Sequence, residues 1–153
     1  MTRDTAGPSF VPRSARFESR VRESFARQSL METIGARLVS VAPGEVEIAL
    51  PFRNELTQQH GFLHAGIVTT IADTACGYAA LSLMADESDV LSVEFKINLL
   101  APARGERLRA LGRVVRAGRT LTVCVGDVFA SSGGEEKLVA TMLATMMSIR
   151  TTE

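Results

Sequence analysis

The longest apolar stretch of this chain runs from Ala65 to Met84, AGIVTTIADTACGYAALSLM, and Asp73 is its only charged residue. A segment of this length and character is either the buried centre of a globular fold or a membrane span. A span would place Asp73 near the bilayer centre, at roughly 2.5–3.5 kcal/mol on insertion scales. No Lys or Arg brackets the segment closely, no aromatic belt marks its ends, and only strand-like patterns follow. The stretch is therefore read as a helix over 66–84 at the centre of a globular fold. A carboxylate in such surroundings is costly unless it is paired, hydrogen-bonded or protonated, which makes Asp73 either a structural anchor or a chemical group.

The rest of the chain supplies what would cover that helix. Residues 17–35 fit one side of an amphipathic helix imperfectly through Phe17, Val21, Phe25 and Leu30, with Gly35 to end it. Residues 37–41 read as a short strand, Pro43-Gly44 as a turn, and Val46, Ile48, Leu50 and Phe52 alternate as in a half-buried strand. Leu91, Val93, Phe95, Ile97 and Leu99 form the clearest period-two run. Strands are expected over 107–115, 120–130 and 137–149, with turns at Ala117-Gly118 and Ser131–Gly134. The short links predict an antiparallel meander. The expected class is α+β, a curved antiparallel sheet wrapped around one long central helix, plus an N-terminal helix. Such a sheet buries one side of the helix only, so the other side is expected to meet a second copy of the chain.

Composition narrows the function. Lys plus Arg and Asp plus Glu number 17 each, giving a net charge of zero, which argues against nucleic acid as a partner. The first 16 residues, with Arg3, Asp4, Gly7, Pro8, Pro12, Arg13 and Arg16, read as a flexible tail without the apolar core of a signal peptide. Cys76 and Cys124 lie in apolar runs and are read as reduced core thiols of a cytoplasmic protein. His60 and His64 share one loop with no Cys/His cluster around them, and neither a metal nor another cofactor is expected. Residues 17–150 are expected to form one domain.

Two features bear chemistry. The first N–H groups of a helix lack internal partners and carry the positive end of its dipole. Here they belong to about Ala65, Gly66 and Ile67, and Gly66 lets a ligand oxygen approach closely. A carbonyl oxygen that gains negative charge during attack suits such a place. Asp73 lies two turns further on the same side of the helix, about 10 Å along the axis from Gly66. One carbonyl group cannot touch both within one chain, because catalytic contacts need about 3 Å. If both take part, two helices must lie antiparallel, each giving the amide to one site and the carboxylate to the other.

The run Gln58-Gln59-His60-Gly61-Phe62-Leu63-His64-Ala65-Gly66, followed by Ile67 to Asp73, closely resembles hot-dog-fold acyl-CoA thioesterases of the phenylacetate-degradation (PaaI-like) type. The likeness extends to Leu91–Pro102 and to the order of elements from about Phe17 to Ile149. It implies hydrolysis of acyl-CoA to a free acid and coenzyme A, without a cofactor, in a homodimer with shared sites that pairs again into a tetramer. It implies that Asp73 is the general base or the nucleophile, that the Ala65 amide, with Gly66 beside it, polarises the thioester carbonyl, and that Ser92 positions the carboxylate or the water. Gln58 stands where many members have an Asn. His64 and Gly61 belong to the substrate-binding loop, His64 as an orienting residue. Arg116 and Arg119, like Arg104 and Arg107, flank turns and are candidates for the phosphates of coenzyme A. Met31, Met84, Met142, Met146 and Met147, with few aromatic residues, favour a medium-chain fatty acyl group, with aryl-CoA next. Two other readings stay open: a non-catalytic acyl-CoA-binding protein of the same fold, and a hot-dog dehydratase or hydratase.

Overall fold

A computed structural model of the chain describes residues 9–151. The elements are α1 (Phe17–Ala26), α2 (Ser29–Ile34), β1 (Arg37–Ala42), β2 (Glu45–Pro51), a 3-10 turn (Asn54–Leu56), α3 (Ala65–Leu81), β3 (Ser88–Leu99), β4 (Arg107–Ala117), β5 (Leu121–Ser132) and β6 (Glu135–Arg150). All strands pair antiparallel in one six-stranded sheet ordered β1-β2-β4-β5-β6-β3. This corrects the expected meander. β4, β5 and β6 do follow one another, but β3 crosses to the far side of the sheet and pairs with β6 alone. The connection through α3 and β3 thus carries the helix over the sheet face before β4 returns to β2.

α3 packs against β2, β3, β4, β5 and β6. Its close seating has a specific cause. Gly112 of β4 and Gly126 of β5 are register partners, and both lie beneath the helix. A Cβ on Gly112 would stand 2.3 Å from the backbone carbonyl of Ala75, and one on Gly126 would stand 2.8 Å from Cys76 Sγ. The paired glycines form a saddle in which Ala72, Ala75, Cys76 and Ala79, all fully buried, meet the sheet. Small residues on both surfaces let backbone approach backbone. Alternate residues of β4 (Leu108, Ala110, Val114) and β5 (Cys124, Val128, Ala130) complete this face. Among the described residues no helix is long and apolar enough to cross a membrane.

The expected single helix over 17–35 is two helices. Gln28 adopts an extended backbone (φ −80°, ψ 90°) and its Nε2 donates to the Tyr78 hydroxyl at 3.3 Å. α2 therefore turns back, burying Met31 and Ile34, and ends on Gly35 in the left-handed region (φ 77°), where glycine is unstrained. Arg20 of α1 donates to the Met84 carbonyl (3.0 Å) and the Ser88 carbonyl (2.7 Å), fastening α1 to the junction of α3 and β3. Residues 9–16 of the expected tail lie against the domain. Phe10 packs on the core, Ser14 is buried, and its hydroxyl donates to Asp86. The first eight residues lie outside the described residues.

β3 is an edge strand of twelve residues. Leu91, Val93, Phe95 and Leu99 along it are each about half exposed. A long apolar edge with open backbone groups is a template for further pairing.

Candidate active site

The loop before α3 is closed by a Thr57–Leu63 bridge and by the Gln58 N–H donating to the Phe62 carbonyl (2.8 Å). Gly61 makes the turn at φ 78°, and the His64 N–H donates to the Leu56 carbonyl (2.9 Å). The Gln58 side-chain carbonyl accepts from the His60 amide, leaving its own NH₂ as the available donor. His64 caps the helix. Its Nδ1 accepts from the Gly66 N–H at 2.9 Å, and its carbonyl accepts from Ile67 and Val68. An accepting Nδ1 requires the neutral ring with its proton on Nε2. His64 is thus tied to the start of α3 by both its ring and its carbonyl.

That cap changes the donor inventory. Gly66 and Ile67 already have acceptors within the chain. Among the described residues the Ala65 N–H donates to none. A single exposed amide, on the positive end of a 17-residue helix, is left for an incoming oxygen. It opens on a cleft of about 480 Å³ that Gln58, Phe62, His64, Leu99, Pro102 and Val139 also line.

Asp73 lies about 12 Å further along the axis, in a different cleft of about 360 Å³. It is half-buried rather than enclosed, because its side of α3 turns from the sheet centre to the edge strand β3. The Ser92 hydroxyl of β3 donates to Asp73 Oδ1 at 2.7 Å and also lies 3.3 Å from Met146 Sδ. Ser92 comes within reach because β3 carries a bulge between Ser92 and Glu94, and a bulge re-aims a strand side chain. In one chain the structure thus brings Asp73 to Ser92, and Ala65 to Gln58 and His64, but not the two groups to each other. Arg116 and Arg119 line neither cleft. They sit at the β4–β5 hairpin, whose Thr122 registers with Met146 and through it with Ser92. Arg104 lies with its guanidinium carbon 5.9 Å from the Phe62 ring centroid, beside the Ala65 cleft.

Sequence reading missed Gly77. It stands one turn beyond Asp73 on the same face of α3, where a mid-helix glycine costs about 1 kcal/mol relative to alanine. Of the methionines, Met31, Met84, Met142 and Met146 are buried in the core, and none lines either cleft of the single chain.

Cys76 and Cys124 are both buried and free. Burial pushes the Cys76 thiol well above the ordinary range and Cys124 up to about 12, which leaves neither as a nucleophile. A raised folded pKa gives stability that is complete below the unfolded value of 9.0 and is lost as pH rises towards about 12. The urea midpoint is expected to fall across that window, and to fall less steeply in Cys124→Ala. An equal slope in the variant would count against burial as the cause.

Comparison with known proteins agrees with this architecture. Residues 60–137 match the model of the Thioesterase superfamily, and the chain belongs to that family. A thioesterase family protein from Silicibacter pomeroyi is 55% identical, with a TM-score of 0.86 over 87% of this chain and 98% of that one. The PaaI protein of the Escherichia coli phenylacetic acid degradation operon shares the fold at a TM-score of 0.79 and 19% identity, covering 88% of this chain and 94% of that one. Human acyl-coenzyme A thioesterase 13 is 33% identical over 104 residues, 67% of this chain and 72% of that protein. Matches to two archaeal proteins that bear esterase names, from Saccharolobus solfataricus and Halobacterium salinarum, span 66% and 65% of those proteins. The expected hot-dog fold and thioesterase family both hold, and the PaaI protein shares that fold.

Proposed function

We propose that this protein hydrolyses acyl-CoA thioesters, releasing a carboxylic acid and coenzyme A. The observation that carries the reading is the division of labour along α3: one uncommitted amide at its start, and one hydrogen-bonded carboxylate two turns on. The Ala65 N–H polarises the thioester carbonyl and stabilises the oxyanion that forms on attack. Asp73 activates water as general base, or attacks the carbonyl carbon itself. The Ser92 hydroxyl fixes the orientation of the carboxylate, and the Gln58 NH₂ faces the reacting group from the loop. Family membership and the likeness to an acyl-coenzyme A thioesterase support the substrate class.

Because Ala65 and Asp73 occupy separate clefts, the reading requires a second copy of the chain. The exposed apolar edge of β3 supports this. Edge-to-edge pairing there would bury Leu91, Val93 and Phe95 and run two α3 helices antiparallel, setting the Ala65 amide of one beside Asp73 of the other. Further pairing of such dimers into a tetramer belongs to the same proposal. Arg116 and Arg119, at the end of the sheet that carries Ser92, are assigned to the phosphates of coenzyme A. The two buried free thiols support a reducing, cytoplasmic site of action.

The test is thiol release from a panel of acetyl-, octanoyl-, palmitoyl- and phenylacetyl-CoA by the purified protein. Rapid release from at least one member is expected. Tight binding of these compounds with no release from any would replace the enzyme by a non-catalytic acyl-CoA binder.

A further inference from the structure

The hydroxyl of Ser92 has one proton and two acceptors. It donates to Asp73 Oδ1 at 2.7 Å, and Met146 Sδ lies 3.3 Å from the same hydroxyl oxygen. A thioether is a weak acceptor and donates nothing, so this second contact serves the hydroxyl as another place to turn its proton. Met146 is fixed there. It is the cross-strand partner of Ser92 on β3 and of Thr122 on β5, and its side chain is fully buried. The bulge that re-aims Ser92 falls at the next step of the same ladder.

The charge on Asp73 decides between the two acceptors. An ionised carboxylate takes the hydroxyl proton, because a charge-assisted bond is roughly twice as strong as a neutral one. A protonated carboxyl reverses the requirement, since it has a proton to give and needs an acceptor. Ser92 Oγ can accept that proton when its own points elsewhere. Among the described residues, Met146 Sδ is the one acceptor besides Asp73 that the hydroxyl reaches.

Resting on the thioesterase reading above with Asp73 as general base, we propose that Met146 is a positioning residue for the reaction, the alternative acceptor that lets Ser92 serve Asp73 in both of its charge states. In the resting enzyme Ser92 donates to the carboxylate and aims it. When water gives a proton to Asp73, its oxygen bonds to the acyl carbon, and negative charge moves onto the former carbonyl oxygen beside the Ala65 amide. The Ser92 proton turns to Met146 Sδ, and Ser92 Oγ accepts from the neutral carboxyl. As the carbon–sulfur bond of the thioester breaks, the carboxyl proton passes to the departing thiolate and the hydroxyl swings back to Oδ1. Met146 exchanges no atom with the substrate and acts through Ser92 alone.

The experiment compares the full-length wild type with Met146→Leu, Ser92→Ala and the double variant, each on the member of the acyl-CoA panel that wild type turns over fastest. A further arm is wild type made with norleucine in place of methionine, which exchanges sulfur for a methylene at unchanged side-chain length. Met146→Leu nearly conserves volume and keeps the Tm within about 5 °C of wild type. Its kcat falls about threefold, and the acidic limb of its kcat/KM profile moves to lower pH by about half a unit, because the protonated carboxyl has lost its acceptor. The other charged or titratable groups described around Asp73 are Arg27 at the end of α1, Asp89 of β3, and Cys76 and Tyr78 of α3, and the substitution alters none of them. The norleucine protein shifts the limb in the same direction, and it decides the matter alone if Met146→Leu does not fold. In the Ser92→Ala background, Met146→Leu changes neither kcat nor the limb further, because the hydroxyl through which the sulfur acts is gone. A limb that stays in place without the sulfur overturns the proposal, since solvent then serves the hydroxyl as well. So does a loss of kcat that is the same with and without Ser92, the mark of a merely structural role. A wild type that releases no thiol, or an Asp73→Asn variant that turns over like wild type, brings down the thioesterase reading or its base together with this inference. An active wild type that depends on Asp73 but shows an unmoved limb brings down only the role of Met146.

Discussion

Asp73→Asn is expected to lower kcat for thiol release by a factor between about 10² and 10⁴ while leaving the melting temperature and the assembly as they are. The substitution is nearly isosteric. The amide oxygen of Asn still accepts the Ser92 hydroxyl, which now donates to Oδ1 at 2.7 Å, so the half-buried position keeps its partner. What is lost is the capacity to take a proton from water or to bond to the acyl carbon. On the proposed mechanism the effect belongs in kcat, with KM close to that of wild type, because the substitution leaves the Ala65 amide and the loop assigned to thioester binding unchanged. Turnover close to wild type in this variant would make Asp73 a structural anchor for β3 and would remove the proposed mechanism.

The second large effect concerns the fold. Gly112→Ala places a methyl group 2.3 Å from the Ala75 carbonyl and 2.6 Å from the Cys76 amide nitrogen. Backbone is the obstacle, so relief comes only by lifting α3 from the sheet, at about 3 kcal/mol or more. The expected fall in Tm is about 10 °C. Gly126→Ala is milder, because its nearest obstacle is the Cys76 thiol, which can rotate away. Thermal melts of both variants test the ranking. A Gly112→Ala protein as stable as wild type would show that the saddle is not what seats the helix.

Much of the architecture was legible in the residues. The apolar run from Ala65 announced the central helix, and alternation located β2, β4, β5 and β6 to within a few positions. Asp73, Ala65, His64 and Ser92 stood out from the charge pattern and the family likeness. The remainder was hidden for identifiable reasons. Strand order depends on where the chain goes after α3, and the alternation of β3 is the same whether it lies beside β4 or β6. The break between α1 and α2 falls at Arg27-Gln28, where no proline or glycine marks it, because the cause is a long-range bond from Gln28 to Tyr78. Asp73 looked enclosed because its neighbours in sequence are apolar. Ala72, Ala75 and Cys76 face the sheet centre, and Asp73 meets its edge strand at Ser92. Gly112 and Gly126 read as ordinary strand residues until their register was known.

The two bonds from Arg20 to the Met84 and Ser88 carbonyls have a bearing on how a molecule enters the cleft beside Asp73. One wall of that cleft comes from the end of α1, another from α3 and a third from β3. Arg20 rivets the first to the joint between the other two, and the planar guanidinium holds both carbonyls with little freedom to rotate. The three walls therefore cannot swing apart as doors do. On the thioesterase reading proposed above, these walls are joined before anything arrives, and acyl groups would be selected by fit to them and not by their closing around whatever has entered.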